Sequence, residues 1–457
     1  MRYIPNTPDD REAMLREIGV SHFNELIESI PESLRLKSPL KLPNGKSEGE
    51  VKTHMIELAR KNRNATSSSS FVGAGSYDHF IPSAVNALAS RSEFATAYTP
   101  YQPEVAQGTL QVIYEFQSMI CELFGMEAAN ASMYDAGTAL AEAVMLTFRS
   151  TKRSTIIIPD NIHPSYRRVT KTLTRCLDLN IIGVPCTDGK LDVASVEKEL
   201  SDQTAALVLQ YPNFYGIVEN IEPFIQLAHS NKSLAIIVAD PLAMGVLEAP
   251  GSFDADIVVG EGQGLGNPQS YGGPYLGLFA AKQKFARMMP GRIVGVTKDV
   301  DGRRGFVLTL QTREQHIRRD KATSNICTNE GLCATRATFF MSLIGPSGLR
   351  DIGNACMRRT AYLRDELARI KGFSCPQDGP HFKEFLLRIP GNAESFFEFM
   401  AERGILSGVP LSQLGLNDPH GLLVAVTENR TQTELDAYIS LAKTFSKEYA
   451  HAVPASA

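Results

Sequence analysis

Asp240 closes an apolar run, Ile236-Ile237-Val238-Ala239, and Pro241 follows it. A carboxylate at the end of a buried strand stands where α/β sheets bind ligands, outside the carboxyl ends of their strands. Taken alone, a turn-capping aspartate is the simpler reading. Ser132-Met133-Tyr134-Asp135-Ala136-Gly137-Thr138 precedes a helix-periodic stretch. Gly137 permits close backbone approach, and Thr138 with the first free N–H groups could hold an anion. An ordinary N-cap turn explains the same residues about as well. Gln210-Tyr211-Pro212-Asn213-Phe214-Tyr215-Gly216 also follows a strand, and His163 in Asn161-Ile162-His163-Pro164 follows another.

These pieces need a sheet to bring their ends together. Apolar runs at Thr155–Ile158, Ile181–Pro185, Ala206–Gln210, Leu234–Ala239, Ile257–Val259 and Tyr275–Ala280 read as strands. Helical patterns at Leu110–Phe124, Thr138–Arg149, Val193–Leu200 (capped by Asp192) and Glu222–Ser230 alternate with them. Continuous apolar strands alternating with helices predict an α/β domain whose mainly parallel sheet is buried on both faces. From near Arg313 the order changes. Helices at Glu330–Leu343, Asn354–Ile370, Ala393–Arg403 and Thr433–Tyr449 mix with strands at Phe382–Ile389 and Gly421–Val426, which suggests a smaller α+β domain. The expected organisation is a helical arm over 1–63, a large domain over 64–312, a small domain over 313–450 and a frayed tail over 451–457. Within the arm, Thr7 caps a first helix that Gly19 stops. Ser21 starts a second that Pro31 ends, and Ser38–Glu50 reads as a polar connection.

Of the 457 residues, 43% are hydrophobic and 21% charged, the balance of an ordinary globular chain. A net charge of -4 gives no global basic field, so neither nucleic acid nor an anionic membrane is an expected partner. Seven cysteines without a CxxC pair argue against a disulfide framework or a zinc site, and no metal is expected. The first ten residues lack an apolar core behind a basic head, and no apolar run is long enough to span a bilayer. A reducing cytoplasm is the expected location.

Together the first three motifs resemble the fold-type-I family of pyridoxal phosphate enzymes, the aspartate aminotransferase superfamily. The resemblance implies a PLP-transferase-like α/β fold. In it Gly137 and Thr138 match the phosphate-binding turn, Asn213 and Gly216 lie beside the ring, and Asp240 matches the partner of the pyridinium nitrogen. His163 stands where a ring-stacking aromatic is common. The family also needs a Schiff-base lysine past that aspartate. Here the segment reads Asp256-Ile-Val-Val-Gly-Glu-Gly-Gln-Gly-Leu-Gly266, with Gln263-Gly264 where His-Lys would stand. No lysine occurs from Pro241 to Ala281. No other side chain replaces an ε-amine that must attack and leave again. Gly137, Thr138, His163 and Asp240 are therefore read as a relic pocket.

Three further segments are unusual. Tyr98-Thr99-Pro100-Tyr101-Gln102-Pro103-Glu104-Val105-Ala106-Gln107-Gly108, after Ala97, is a proline-stiffened loop with directed polar groups. Thr312–Thr328 holds the one dense basic stretch, Arg313, His316, Arg318, Arg319 and Lys321, which either pairs with Glu314 and Asp320 or steers an acidic carrier. Gln269–Pro274 is a glycine-rich turn. With Tyr3-Ile4-Pro5, Ala129–Ser132 and Met289-Pro290-Gly291-Arg292, these strings resemble the P-protein family of the glycine cleavage system, in its two-subunit form the subunit 1 type, over essentially the whole chain. A missing Schiff-base lysine is itself a mark of that type. The resemblance implies glycine decarboxylation with a partner, subunit 2, that carries pyridoxal 5'-phosphate. It implies transfer of the aminomethyl group to lipoamide on H-protein, and an α2β2 heterotetramer. On it we expect Tyr98, Thr99, Tyr101 and Gln102 to line the interface site. The rival readings are a non-catalytic scaffold, or a self-sufficient enzyme using a lysine such as Lys282 or Lys321.

Overall fold

Residues 204–211, 234–239 and 257–261 alternate their side chains between two apolar layers, which fixes the sheet between them. Leu207, Leu209, Ile237 and Val258 pack with Phe116, Ile120 and Phe124 of the helix Gln107–Phe124. Ala206, Val208, Ile236 and Val259 pack on the other face with Leu140 and Val144 of the helix Ala136–Thr151. Both faces are thus dry, and each fully buried aliphatic side chain contributes roughly 1.5–3 kcal/mol. The computed structural model describes residues 5–38, 40–65, 67–96 and 98–452. Tyr3-Ile4, Thr66, Ala97 and the tail beyond Ala452 lie outside the described residues.

The seven strands run in the order Ala128–Ala129, Gly277–Ala281, Ile257–Glu261, Leu234–Ala239, Thr204–Tyr211, Thr155–Ile157, Asn180–Ile182. The last five are mutually parallel, and Gly277–Ala281 is antiparallel to both of its neighbours. This is the mainly parallel α/β sheet that the sequence predicts. Its carboxyl edge gathers Pro159–His163, Pro212–Gly216, Asp240 and Glu261 at one end.

A second sheet, antiparallel, orders Glu384–Arg388, Gly421–Ala425 and Val409–Pro410. It has its own core, in which Phe385, Leu387, Phe396 and Tyr438 meet Phe71. Ser69–Ser70 pairs in parallel with Ile405–Leu406, so the chain just after Asn64 is stitched to this C-terminal layer. The two helices expected over 330–370 form one path, Gly331–Ala368, with a kink at Gly345 where Pro346 follows and φ turns positive. Residues 293–298 and 304–309 form a β-hairpin not read from the sequence. The helix Pro164–Thr174 was also missed, because its apolar face is short and its polar residues dominate.

The chain divides into two compact units at Arg63/Asn64. In the first, Thr7 caps Pro8–Ile18 through a capping box with Asp10, and Gly19 ends it in the left-handed conformation. Ser21 does not start the next helix; His22 is the N-cap of the short Phe23–Leu26. The stretch read as a connection contains the start of a third helix, Glu48–Ala59, capped by Ser47. None of the three helices buries a side chain. No helix of the described residues is long and apolar enough to cross a membrane.

Candidate functional site

The carboxyl edge of the sheet opens onto a cavity of about 50 Å³, lined among others by Gly75, Tyr77, Tyr166, Asp240, Glu261, Lys383 and Glu384. Asp240 projects there from the end of its strand, as the apolar run before it requires. Its Oδ1 accepts the N–H groups of Leu242 and Ala243 at 2.9 and 3.3 Å. Its Oδ2 lies 2.7 Å from Lys383 Nζ. Lys383 is 3% exposed. Its ammonium also sits 3.6 Å from the Tyr77 ring centroid and 3.1 Å from His79 Nε2. Lysine only donates, so that nitrogen accepts and His79 Nδ1 donates its proton to Glu428 Oε2 at 2.7 Å. Cys356 Sγ contacts the same Glu428 oxygen at 3.5 Å. The trio His79, Cys356 and Glu428 is compact enough to consider as a metal site, but these hydrogen bonds already occupy it.

The helix turn at Gly137 and Thr138 is filled in the same manner. Asp135 Oδ1 accepts Thr138 N–H at 2.7 Å, a cap worth about 1 kcal/mol. Glu261 Oε2 accepts Ala136 N–H at 3.1 Å, and its Oε1 accepts from Gln263 and Leu276. Two carboxyl groups of the chain itself therefore stand on the helix N-terminus where an anion would bind. Burial pushes Glu261 up to about 8 despite these N–H donors, with Asp135 adding to the rise. Burial likewise raises Glu384 to about 7, against the pull of Ala74 N–H and the Tyr77 hydroxyl. Both carboxyls keep protons in the folded chain that the unfolded chain, near its ordinary 4.5, has released. The stability these two carboxyls contribute therefore falls as pH rises from about 4.5 through about 8. Glu261→Gln is expected to flatten that fall above about pH 7, read as urea midpoint against pH. An unaltered slope would remove Glu261 as its source.

His163 lies one layer behind the cavity. Its ring stacks on Tyr166 at 4.2 Å, and burial lowers it to about 4. Its Nδ1 accepts Ser165 N–H, so Nε2 donates to Ala74 O at 2.7 Å. Of the residues read as a relic pocket, Asp240 alone lines the cavity, and Asp240, Thr138 and His163 are each engaged by other groups of the chain. Gln263, which precedes Gly264 at the position of the missing lysine, is buried and uses its amide to hold Tyr77 N–H and the carbonyls of Tyr77 and Asn267. Neither Lys282 nor Lys321 lines the cavity. Lys282 pairs with Asp254 and Asp256 at the opposite end of the sheet from Asp240.

The residues present do not fit pyridoxal phosphate. About 50 Å³ is far below the roughly 300–1,000 Å³ of ordinary ligand pockets. A lysine ammonium stands on Asp240, the carboxyl groups of Asp135 and Glu261 stand at the helix N-terminus matched to the phosphate turn, and no amine stands at the Schiff-base position. The sequence reading missed Lys383, Glu384, His79 and Glu428. The one available signal was two adjacent charges, Lys383-Glu384, ahead of the apolar run Phe385-Leu386-Leu387.

The loop at Tyr98–Gln102 lies elsewhere, and none of its side chains lines the cavity. Pro100 is buried as its anchor, Thr99 is half-buried, and Tyr98, Tyr101 and Gln102 are exposed. Gln107 ties the loop down at both ends of its amide. Nε2 donates to Pro103 O and Phe306 O, and Oε1 accepts Phe306 N–H. The ring of Tyr101 meets His316 edge-on at 6.2 Å. Arg313 donates to the carbonyls of Met289, Gly291 and Leu310. His316 lies 3.5 Å from the buried Glu314. The expected pairing with Asp320 is not seen: Arg318, Arg319 and Lys321 are exposed and form no ion pair among the described residues.

The family model for the glycine cleavage system P-protein matches residues 1–442. A probable glycine dehydrogenase (decarboxylating) subunit 1 of Chlorobaculum tepidum is 50% identical over 441 residues, 96% of this chain and 99% of its own. One from Prosthecochloris aestuarii is 49% identical over 440 residues, 96% and 98% of the two chains. The crystal structure of an inhibitor-bound glycine decarboxylase (P-protein) of the glycine cleavage system superposes with a TM-score of 0.88 at 40% identity, covering 97% of this chain and 100% of that one. A sphingosine-1-phosphate lyase of Burkholderia pseudomallei shares the fold alone, with a TM-score of 0.66 at 14% identity over 93% and 96% of the chains.

Proposed function

The chain belongs to the glycine cleavage system P-protein family, and from that premise we propose that it acts as subunit 1 of glycine dehydrogenase (decarboxylating). With subunit 2 it decarboxylates glycine and passes the aminomethyl group to the lipoyl arm of H-protein. Pyridoxal phosphate, which serves as the electron sink for decarboxylation, is carried by the partner. The assembly is an α2β2 heterotetramer working in the cytoplasm.

One observation carries the reading. The chain fills its own ancestral cavity with Lys383, Asp135 and Glu261, yet holds Tyr98, Tyr101 and Gln102 outward on a rigid loop. A loop fastened by Pro100 and Gln107 keeps its polar groups in fixed directions, as a preorganised site requires. In this reading Tyr98, Thr99, Tyr101 and Gln102 complete the partner's site. Their hydroxyls and amide orient the substrate and help exclude water. The exposed Arg318, Arg319 and Lys321 offer positive charge to an acidic carrier, an attraction that salt would screen.

Tyr101→Phe tests the role of the loop. The ring stays and only the hydroxyl goes, so assembly with the partner is expected to be intact. Turnover is expected to fall about tenfold or more, the worth of one hydrogen bond to a charged group. Exchange of labelled bicarbonate into glycine measures it. Unchanged exchange would take Tyr101 out of the mechanism and leave the loop as an interface support.

A further inference from the structure

Three segments that are odd in the sequence, Tyr98–Gly108, Met289–Arg292 and Thr312–Thr328, meet at the side chain of Arg292. It is 4% exposed. Its Nη1 donates to Thr328 Oγ1 at 3.2 Å and Asn329 Oδ1 at 3.3 Å. Its Nη2 donates to the Tyr101 hydroxyl at 3.2 Å, and the guanidinium lies 5.5 Å from that ring's centroid. All three acceptors are neutral. Arg292 forms no ion pair among the described residues, and its Nε is buried without an acceptor. Arg430, equally buried and with its Nε likewise unfilled, still pairs its two Nη groups with Asp78 and Glu434, so the missing charged partner is what sets Arg292 apart. A buried cation with neutral partners alone is costly, because hydroxyls and amides only partly replace its hydration.

The unfilled Nε lies on the Nε–Nη2 edge, the edge with which arginine grips a carboxylate through two parallel bonds. The Tyr101 hydroxyl accepts from Arg292, so its own proton is free for a further acceptor. Thr99 Oγ1, in the same loop, is also buried without a partner. We propose that Arg292 is a carboxylate-binding residue of the composite site, with Tyr101 supplying a second donor to the same ligand. The proposal rests on the reading that this loop faces the partner's active site. The carboxylate comes either from the amino-acid substrate or from an acidic side chain of the partner subunit. The two sources leave different traces. A substrate carboxylate departs as carbon dioxide, so the arginine holds the ground state and not the product of that step. Its loss then raises KM with kcat kept. A partner's carboxylate remains throughout, so its loss weakens assembly.

The test uses Arg292→Lys and Arg292→Gln in the full chain mixed with its partner. Lysine keeps the charge without the two-pronged edge; glutamine removes the charge. Each variant is first matched to the wild type in urea midpoint. Bicarbonate exchange then gives kcat and KM for glycine, and the assembly constant is measured without glycine. We expect either KM to rise roughly ten- to a hundredfold with assembly unchanged, or assembly to weaken by that factor with KM unchanged. The first assigns the carboxylate to the substrate and the second to the partner. Values of KM and assembly constant both equal to wild type, or a fall in kcat alone, would overturn the proposal. An inactive wild-type mixture would instead strike at the proposed function, and the assembly measurement would still decide Arg292.

Discussion

Lys383→Met is expected to destabilise the folded chain by about 3 kcal/mol. Methionine fills much of the same volume, so the cost is electrostatic. Asp240 would keep its two N–H donors but lose the ammonium 2.7 Å away, and His79 Nε2 would lose its donor. The figure lies at the low end for a broken buried pair because Asp240 retains some contact with water, its side chain being 17% exposed. The double variant Lys383→Met, Asp240→Asn removes both charges and is expected to recover more than half of the loss. Urea unfolding at neutral pH measures both. A single variant as stable as the wild type would mean that the pair does not lock the C-terminal layer onto the carboxyl edge of the large sheet.

Gly216→Ala is expected to cost about 4 kcal/mol or more. Gly216 has φ of +81°, and an added Cβ would stand 1.9 Å from the carbonyl oxygen of Glu384. That is backbone, which cannot step aside as a side-chain tip can. Phe382 N–H donates to Gly216 O at 3.0 Å, so the turn seats the strand that carries Lys383 and Glu384. The Pro-Asn-x-x-Gly turn thus has a structural role in this chain: it holds the segment that brings Lys383 onto Asp240. Thermal unfolding of the variant, with circular dichroism as the readout, checks it. A melting temperature within a degree or two of wild type would show that the clash is absorbed.

The large sheet was legible because its strands are dry on both faces and therefore apolar without interruption, as at Leu234–Ala239. The helix over 331–368 was legible as two pieces, Glu330–Leu343 and Asn354–Ile370, but not as one path kinked at Gly345. The hairpin at 293–309 was not legible, since its exposed strands carry Lys298, Arg304 and Thr309 and lack a clean alternation. At the site, the missing lysine could be seen as a gap in a motif. The filling of the pocket could not, because Lys383 and Asp240 are 143 positions apart in the numbering, and only the antiparallel C-terminal sheet brings them to 2.7 Å. The convergence of the Tyr98–Gly108 loop on Arg292 was hidden for the same reason. Each string was recognisable as unusual, but nothing local says that they touch.

The proposed function divides the labour: this chain would hold no cofactor of its own and would become active only beside a partner that does. The most direct measurement is glycine–bicarbonate exchange by the purified chain, by the purified partner and by their mixture. Each is supplied with pyridoxal phosphate and treated with borohydride to mark any lysine-bound cofactor. The account predicts label on the partner alone and exchange from the mixture alone. Label on a lysine of this chain, or full exchange by either chain in isolation, would contradict it.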